Sequence, residues 1–174
     1  PTNRYLLQGD LPMARTTRLS FGLAHTFNTR FSVSAVYADM SSVHQLVGNN
    51  LNIPVAGIRL DPQFANVIEA VADGRTRQRS LNSSVSINLA GSGPAAQSTR
   101  LFDWKRGLRL GVSHTLGFAK NNTDGAFSPP AGGDLAAEWG PSGGDVRHRG
   151  SVSIGTGIVR NLSANMSFSL SSAP

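Results

Sequence analysis

Five segments of the chain alternate larger, mostly apolar side chains with small polar ones at a period of two residues. Successive residues of a β-strand point to opposite faces of the sheet, so each segment has one apolar and one polar face. The larger side chains are Leu19, Phe21, Leu23, His25 and Phe27; Phe31, Val33, Ala35 and Tyr37; Leu81, Ser83, Val85, Ile87 and Leu89; Leu108, Leu110, Val112, His114, Leu116 and Phe118; and Leu162, Ala164, Met166, Phe168 and Leu170.

This rhythm predicts an all-β fold, an antiparallel meander of about six long strands. The residues before Ala14 are expected to end a preceding loop. Phe64–Ala72 is expected to form at most a helical turn, which Gly74 ends. The predicted strands cover residues 15–27, 31–42, 74–90, 106–119, 147–156 and 160–172.

The connections between these strands differ in length. The residues around Asn28–Arg30 and those between Gly155 and Asn161 form tight turns, whereas Ser41–Ala72 and Lys120–Asp145 are expected to be long loops. Short turns on one side and long loops on the other are typical of transmembrane barrels. Gly91–Arg106 is expected to be a flexible insertion because it begins with Gly-Ser-Gly-Pro.

A soluble antiparallel sandwich also alternates apolar and polar residues. Three features favour a membrane barrel. The polar face is rich in Ser, Asn, Thr and Gly, the long loops fall on one side, and the strands reach the roughly ten residues that a tilted strand needs to cross a bilayer. We therefore expect residues 1–174 to form a single partial transmembrane barrel. Packing of Phe21, Val33, Val85, Leu110 and Phe168 across a core would contradict this expectation.

Composition narrows the classes of function. The 174 residues contain no cysteine, which excludes disulfides and thiolate metal sites. The net charge is +6, but the charge density is low, because only 15% of residues are charged. Aromatic residues make up only 7% of the chain. This composition does not predict a basic surface with aromatic side chains on which bases could stack, so nucleic acid is not an expected partner.

Two loop sequences carry more specific information. The first runs from Asn49 to Val67, and the second runs from Ala137 to Arg149; the strand end Ser113–Lys120 lies between them in the order that the resemblance requires. Together they resemble the loops of TonB-dependent receptors, most closely the Oar-like subgroup with an N-terminal carboxypeptidase-regulatory-like domain. The resemblance covers residues 18–172. Its motif residues are Asn52, Pro54, Arg59, Pro62, Phe64, Trp139, Gly140, Pro141, Asp145, Arg147, His148 and Arg149.

The resemblance implies a segment of an outer-membrane barrel similar to receptors of about 22 strands with a plugged lumen. It implies uptake of an unknown ligand by long loops, with outer-membrane lipid, the remaining barrel and plug, and an inner-membrane energy-coupling complex as partners. The chain departs from the pattern at Leu60 and Ala65, where the family has Pro and Gly. The plug and N-terminal domains are not expected within this chain.

Candidate chemistry is sparse. His148 stands beside Asp145, Arg147 and Arg149, and His25, His44 and His114 lie at no metal-ligand spacing from it. We interpret these residues as a charged network that holds a loop at the barrel rim. Ser142 satisfies a bare G-x-S-x-G pattern, yet no strand is expected before it and no helix after it.

No catalytic residue, cofactor or metal is therefore predicted, and the chain is not expected to be an enzyme. Trp104 and Trp139 suit either an interfacial belt or loop packing. The polar face could contact a solute through Asn82, Asn88, Arg109 and Asn165. The alternative function is a structural or adhesive surface protein that assembles through open strand edges.

Overall fold

The fold is all-β, and the computed structural model describes residues 2–89, 101–102, 107–130, 133–159 and 162–173. Within these ranges there is no helix, and so none that is long and apolar enough to cross a membrane. The strands are β1 (Thr2–Leu7), β2 (Arg15–Asn28), β3 (Phe31–Asn50), β4 (Phe64–Asn88), β5 (Leu108–Asn121), β6 (Gly140–Pro141), β7 (His148–Thr156) and β8 (Ala164–Ser171).

These eight strands form one sheet in the order β2-β3-β4-β5-β7-β8. The predicted antiparallel meander is confirmed along this path, and β2 and β8 lie at its two ends. Two further strands lie outside this order: β1 pairs in parallel with β4, and β6 pairs with the end of β5. The sheet is not closed.

The predicted strands 15–27, 31–42, 74–90, 106–119, 147–156 and 160–172 all correspond to strands of the sheet. The predicted bounds agree most closely with the structure in β2 and β7. Residues 90–100, 103–106 and 160–161 lie outside the described residues, and with them most of the expected insertion at 91–106.

The prediction of a loop over Ser41–Ala72, with a helical turn from Phe64, was wrong. β3 continues to Asn50 and β4 begins at Phe64, leaving 51–63 as the loop. The cause is burial on both faces: the consecutive pair Val67 and Ile68 and the run from Ala70 to Ala72 are buried, with only Glu69 between them, so no two-residue period appears. A short continuous apolar run does not distinguish a buried strand from a helix.

The assignment of Pro1–Ala14 to a loop was also wrong for Thr2–Leu7. This segment pairs in parallel with β4, with Tyr5 opposite Ile68 and Leu7 opposite Ala70. Parallel pairing with a strand some sixty residues away leaves no local sequence signal, since the pairing depends on tertiary contacts. The long loop after Lys120 is interrupted by the short strand β6, which pairs with Lys120 and Asn121.

Contacts divide the chain into two compact units. The first consists of Pro1–Leu19, Asp39–Arg79 and Phe118–Asp145, and the second of Ser20–Ala38, Ser80–Gly117 and Val146–Pro174. The first unit has a small buried core from two strands, β3 and β4. Its buried apolar residues are Val47, Val67, Ile68, Ala70, Val71 and Ala72.

The second unit has two contrasting faces. In β5, β7 and β8, Val112, Val152 and Phe168 lie side by side in register, as do Leu110, Ile154 and Met166. Rows on the opposite face contain Ser113, Ser151 and Ser169, and Gly111, Ser153 and Ser167. Because side chains alternate across a strand, the apolar rows share one face and the polar rows share the other.

Glycines let polar side chains pack closely on this polar face. A Cβ at Gly111 would lie 2.6 Å from Ser153 Oγ, and one at Gly155 would lie 2.7 Å from Asn165 Oδ1. Hydroxyls also bond across strands, with Ser113 and Ser151 at 2.8 Å and Ser34 and Ser84 at 2.8 Å. The face is thus held by short polar contacts between small residues.

Candidate functional site

The first loop is organised around Asn52, which is only 1% exposed. Its Nδ2 donates to the carbonyl oxygens of Asp61 and Phe64, each at 2.9 Å. Its Oδ1 accepts the N–H of Asp61 at 2.8 Å. A buried amide with these partners holds both ends of the loop together.

The other predicted residues of this loop lie nearer the surface. Pro54 and Pro62 are exposed, and Phe64 is half-buried beneath the guanidinium of Arg4, 5.7 Å from the ring centroid. Arg59 donates from Nη1 to the carbonyl oxygen of Ala65. All five residues named for this loop therefore belong to one local structure.

The second loop is fastened to β5 by Asp145, which is 3% exposed. Its Oδ1 accepts the N–H of Ala119 at 2.7 Å, and the N–H of Ser142 donates to the Ala119 carbonyl at 2.9 Å. β6, formed by Gly140 and Pro141, pairs with the neighbouring end of β5. These contacts make the loop that carries Trp139 a fixed extension of the sheet.

Ser142 takes part in this anchor. The expectation that no strand precedes it was wrong, since β6 ends at Pro141. A turn follows at Gly143 and Gly144, with no helix in the described residues after it. The strand-to-helix turn of a nucleophile elbow is therefore not formed there.

The end of the second loop leads into β7. Arg147 accepts the N–H of Gly117 through its carbonyl oxygen, and Arg149 stands opposite Thr115 in the ladder. The β5–β7 register also brings together two histidines that sequence spacing kept apart: His148 Nδ1 lies 3.3 Å from His114 Nε2, and the rings stack. The described residues contain no group of three or more metal-ligating side chains.

A charged cluster in the first unit joins β3 to β4. Arg77 donates to both carboxylate oxygens of Asp39, at 2.9 and 3.3 Å, and Arg79 Nε donates at 3.3 Å. The hydrogen bonds from Arg77, followed by the charges of both arginines, hold the pKa of Asp39 below its ordinary 3.8. Sequence analysis missed this pairing because it depends on the strand register.

Two adjoining clefts of about 640 and 510 Å³ lie in the first unit. Asp73, Arg75 and Trp139 line both of them. Asn122 lies in the larger cleft and His44 in the smaller one. The predicted loop residue Trp139, which is 40% exposed, thus lines both clefts together with charged side chains of β4.

A smaller cleft of about 340 Å³ lies on the polar face of the second unit. It brings together two residues predicted to contact a solute, Arg109 and Asn165. Asn82 instead accepts a hydrogen bond from Thr115 at 2.6 Å, and the N–H of Asn88 donates to the carbonyl of Arg30. Trp104 lies outside the described residues.

No protein-family model, curated protein or solved structure matches the chain.

Proposed function

We propose that this chain is a segment of a bacterial outer-membrane β-barrel of the TonB-dependent receptor type, with its apolar face toward lipid. The observation that carries the proposal is the exposure of that face in the second unit. Phe21 is 64% exposed and Phe168 is 60% exposed. Side chains of this size are normally removed from water in a folded protein.

The exposed side chains form continuous rows. Phe168 adjoins Val152, and Met166 adjoins Ile154, in the β7–β8 register. Leu23, Phe27 and Leu170 are also exposed. A large contiguous apolar surface marks a region that contacts lipid or another protein.

The soluble sandwich requires those same residues to pack against one another. Val33, Val85 and Leu110 are only half-buried, and Phe21 and Phe168 are largely exposed. Ala38 is the one buried apolar residue that the described part of the second unit contributes. The apolar face is therefore not covered by the chain itself, which favours lipid as the surrounding that covers it.

The opposite face suits a water-filled or plugged lumen. Its serines bond to one another, and glycine at 111 and 155 leaves room for Ser153 and Asn165. Outer-membrane barrels combine such a polar interior with an apolar outer band.

The receptor role rests on the resemblance of the two loops and their neighbouring strands. Asn52 and Asp145 hold those loops in defined shapes, as ligand capture requires. The remaining barrel, the plug and an inner-membrane energy-coupling complex are the partners in this proposal. It requires no covalent chemistry and no cofactor.

Matched arginine substitutions on the two faces of β8 test the membrane environment. Phe168→Arg places a charge on the apolar face, and Ser169→Arg places it on the polar face. We expect Phe168→Arg to weaken folding into phospholipid vesicles by about 2–4 kcal/mol, with little effect from Ser169→Arg. Equal effects, or a folded wild-type chain in buffer without detergent, would overturn the proposal.

The end strands favour one further candidate, a surface protein that self-assembles. Every residue of β2 and of β8 is exposed, and both strands lie at the ends of the sheet. Unpaired strand edges bind other strands. Ordered filaments of the wild-type chain in detergent-free buffer would support this candidate.

A further inference from the structure

The clefts beneath Trp139 combine three features that point to a ligand. The lining contains the indole of Trp139, which is 40% exposed, and two charged side chains, Asp73 and Arg75. The volume of about 640 Å³ is within the range of roughly 300–1,000 Å³ typical of small-molecule sites. All of these residues belong to the first unit.

Asp73 and Arg75 present unused hydrogen-bonding groups. Neither side chain forms an ion pair or hydrogen bond within the described part of the chain, although they stand two residues apart on one strand. Residues two apart on a strand share a face. The cleft therefore offers an acceptor and a set of donors, side by side, under an aromatic surface.

Hydrogen bonds of Asn122 join the two segments that carry these groups. Asn122 Oδ1 accepts the backbone N–H of Arg75 at 2.7 Å, while Asn122 Nδ2 donates to the carbonyl of Leu135 at 3.4 Å. Asn122 is therefore a positioning residue that ties β4 to the loop carrying Trp139. The anchor of Asp145 on Ala119 holds the other end of that loop.

We propose that this site binds a neutral oligosaccharide. A pyranose ring has an apolar C–H face, which suits the indole of Trp139, and a rim of hydroxyls that both donate and accept. Those hydroxyls can donate to Asp73 and accept from Arg75. The adjoining cleft of about 510 Å³ shares all three residues and provides space for a second ring.

Other ligand classes fit less well. A phosphate beside Arg75 would also face the carboxylate of Asp73, which repels it, and Arg77, the second arginine of the smaller cleft, is already bonded to Asp39. A peptide adding to the sheet would need a free strand edge, but β4 lies between β3 and β5. The smaller cleft also contains His44 with a φ of 57°. Left-handed backbone at a non-glycine residue is costly and often occurs at functional sites.

This inference rests on the proposed receptor function, for which it names a ligand class. The test applies the full chain in detergent to immobilised neutral oligosaccharides of glucose, galactose, mannose and N-acetylglucosamine, with acidic and basic peptides alongside. We expect retention on at least one sugar series. Trp139→Ala should weaken that retention about tenfold or more, as loss of a central aromatic contact does.

Three further variants make the result specific. Trp139→Phe keeps a flat ring and should retain part of the binding, while Asp73→Asn should weaken it. Leu60→Ala removes an exposed side chain from the other loop and should change nothing. No retention on any sugar, retention only on peptides, or equal retention by Trp139→Ala would overturn the proposal.

The vesicle experiment and the oligosaccharide experiment test the two proposals separately. Sugar binding that depends on Trp139, in a chain whose two β8 arginine variants behave alike, would remove the membrane proposal and leave the binding site. Normal vesicle insertion without sugar binding would remove the site and leave the barrel.

Discussion

At the scale of single residues, Asn52 shows how one amide shapes a loop. It is 1% exposed, and its side chain makes hydrogen bonds with Asp61 and Phe64. Removing the amide would take the acceptor from the Asp61 N–H and a donor from the carbonyl oxygens of Asp61 and Phe64. Such groups cost far more when unpaired than a typical hydrogen bond contributes.

We therefore predict that Asn52→Ala lowers the free energy of unfolding by about 1–3 kcal/mol. Denaturant titration of the full chain in detergent measures the change. Gln63→Ala, which removes an exposed amide from the same loop, should have almost no effect. Equal losses in both variants would show that the buried hydrogen bonds of Asn52 do not hold the loop.

A second prediction concerns Asp39, which lies in the first unit. Because Arg77 and Arg79 lower its pKa, Asp39 stabilises the fold above pH 3.8, and this contribution disappears as the pH falls through its folded pKa. The difference in stability between wild type and Asp39→Asn should therefore be largest near neutral pH and shrink below pH 3.8.

The measurement is the unfolding midpoint of both proteins across an acid series. Asp10→Asn is the control, since Asp10 is exposed and makes no ion pair within the described residues. The effect will be modest because Asp39 and both arginines are partly exposed to solvent. A difference that stays constant with pH would contradict the prediction.

At the scale of strands, the sequence predicted what depends on local alternation. β2 was predicted almost to the residue because larger side chains alternate with small or polar ones from Leu19 to Phe27. β4 was predicted only from Gly74, because its first part is buried on both faces. β1 was missed because its partner lies far along the chain.

The residues of the candidate site were likewise predicted only in part. The loop residues Asn52, Asp145 and Trp139 carried a readable motif, so their importance was predicted, and Asn52 and Asp145 prove to be buried. Asp73 and Arg75 were not predicted as part of a site with Trp139, because only the fold brings these distant segments together. Sequence spacing likewise failed to pair His114 with His148.

The pairing of β1 with β4 gives a prediction at this scale. Tyr5 and Leu7 stand opposite Ile68 and Ala70, and Gln8 N–H donates to the Ala70 carbonyl at 3.1 Å. Deleting Thr2–Leu7 should speed hydrogen exchange in a peptide covering 64–72, because β4 loses a neighbour. Exchange in a peptide covering 108–116 should stay unchanged. No change at 64–72 would mean that β1 adds no protection.

At the scale of the whole molecule, the exposed end strands decide whether the chain can enter a membrane without further strands. Lipid does not hydrogen-bond to backbone groups, so each unpaired N–H or C=O of a membrane-embedded edge is costly. β2 and β8 occupy the two ends of the sheet and are exposed along their length. A membrane role therefore requires further strands to pair with them, either from the remaining barrel or from other copies.

The register identifies which backbone groups face the open edge of β8. Ser172 N–H donates to His148, so hydrogen-bonded pairs recur at every second residue, and Ser169 opposite Ser151 is a non-bonded pair. The N–H of Ser169 therefore points away from β7. Proline at this position would remove that donor without breaking a bond to β7.

We predict that the chain alone associates through its edges in detergent and that Ser169→Pro limits the assembly to pairs joined at β2. Light scattering after gel filtration measures the mass. Ser169→Ala, which keeps the N–H, should assemble as the wild type does. Larger assemblies of Ser169→Pro would show that β8 is not the joining edge, and a monomeric wild type would show that the open edges do not attract one another.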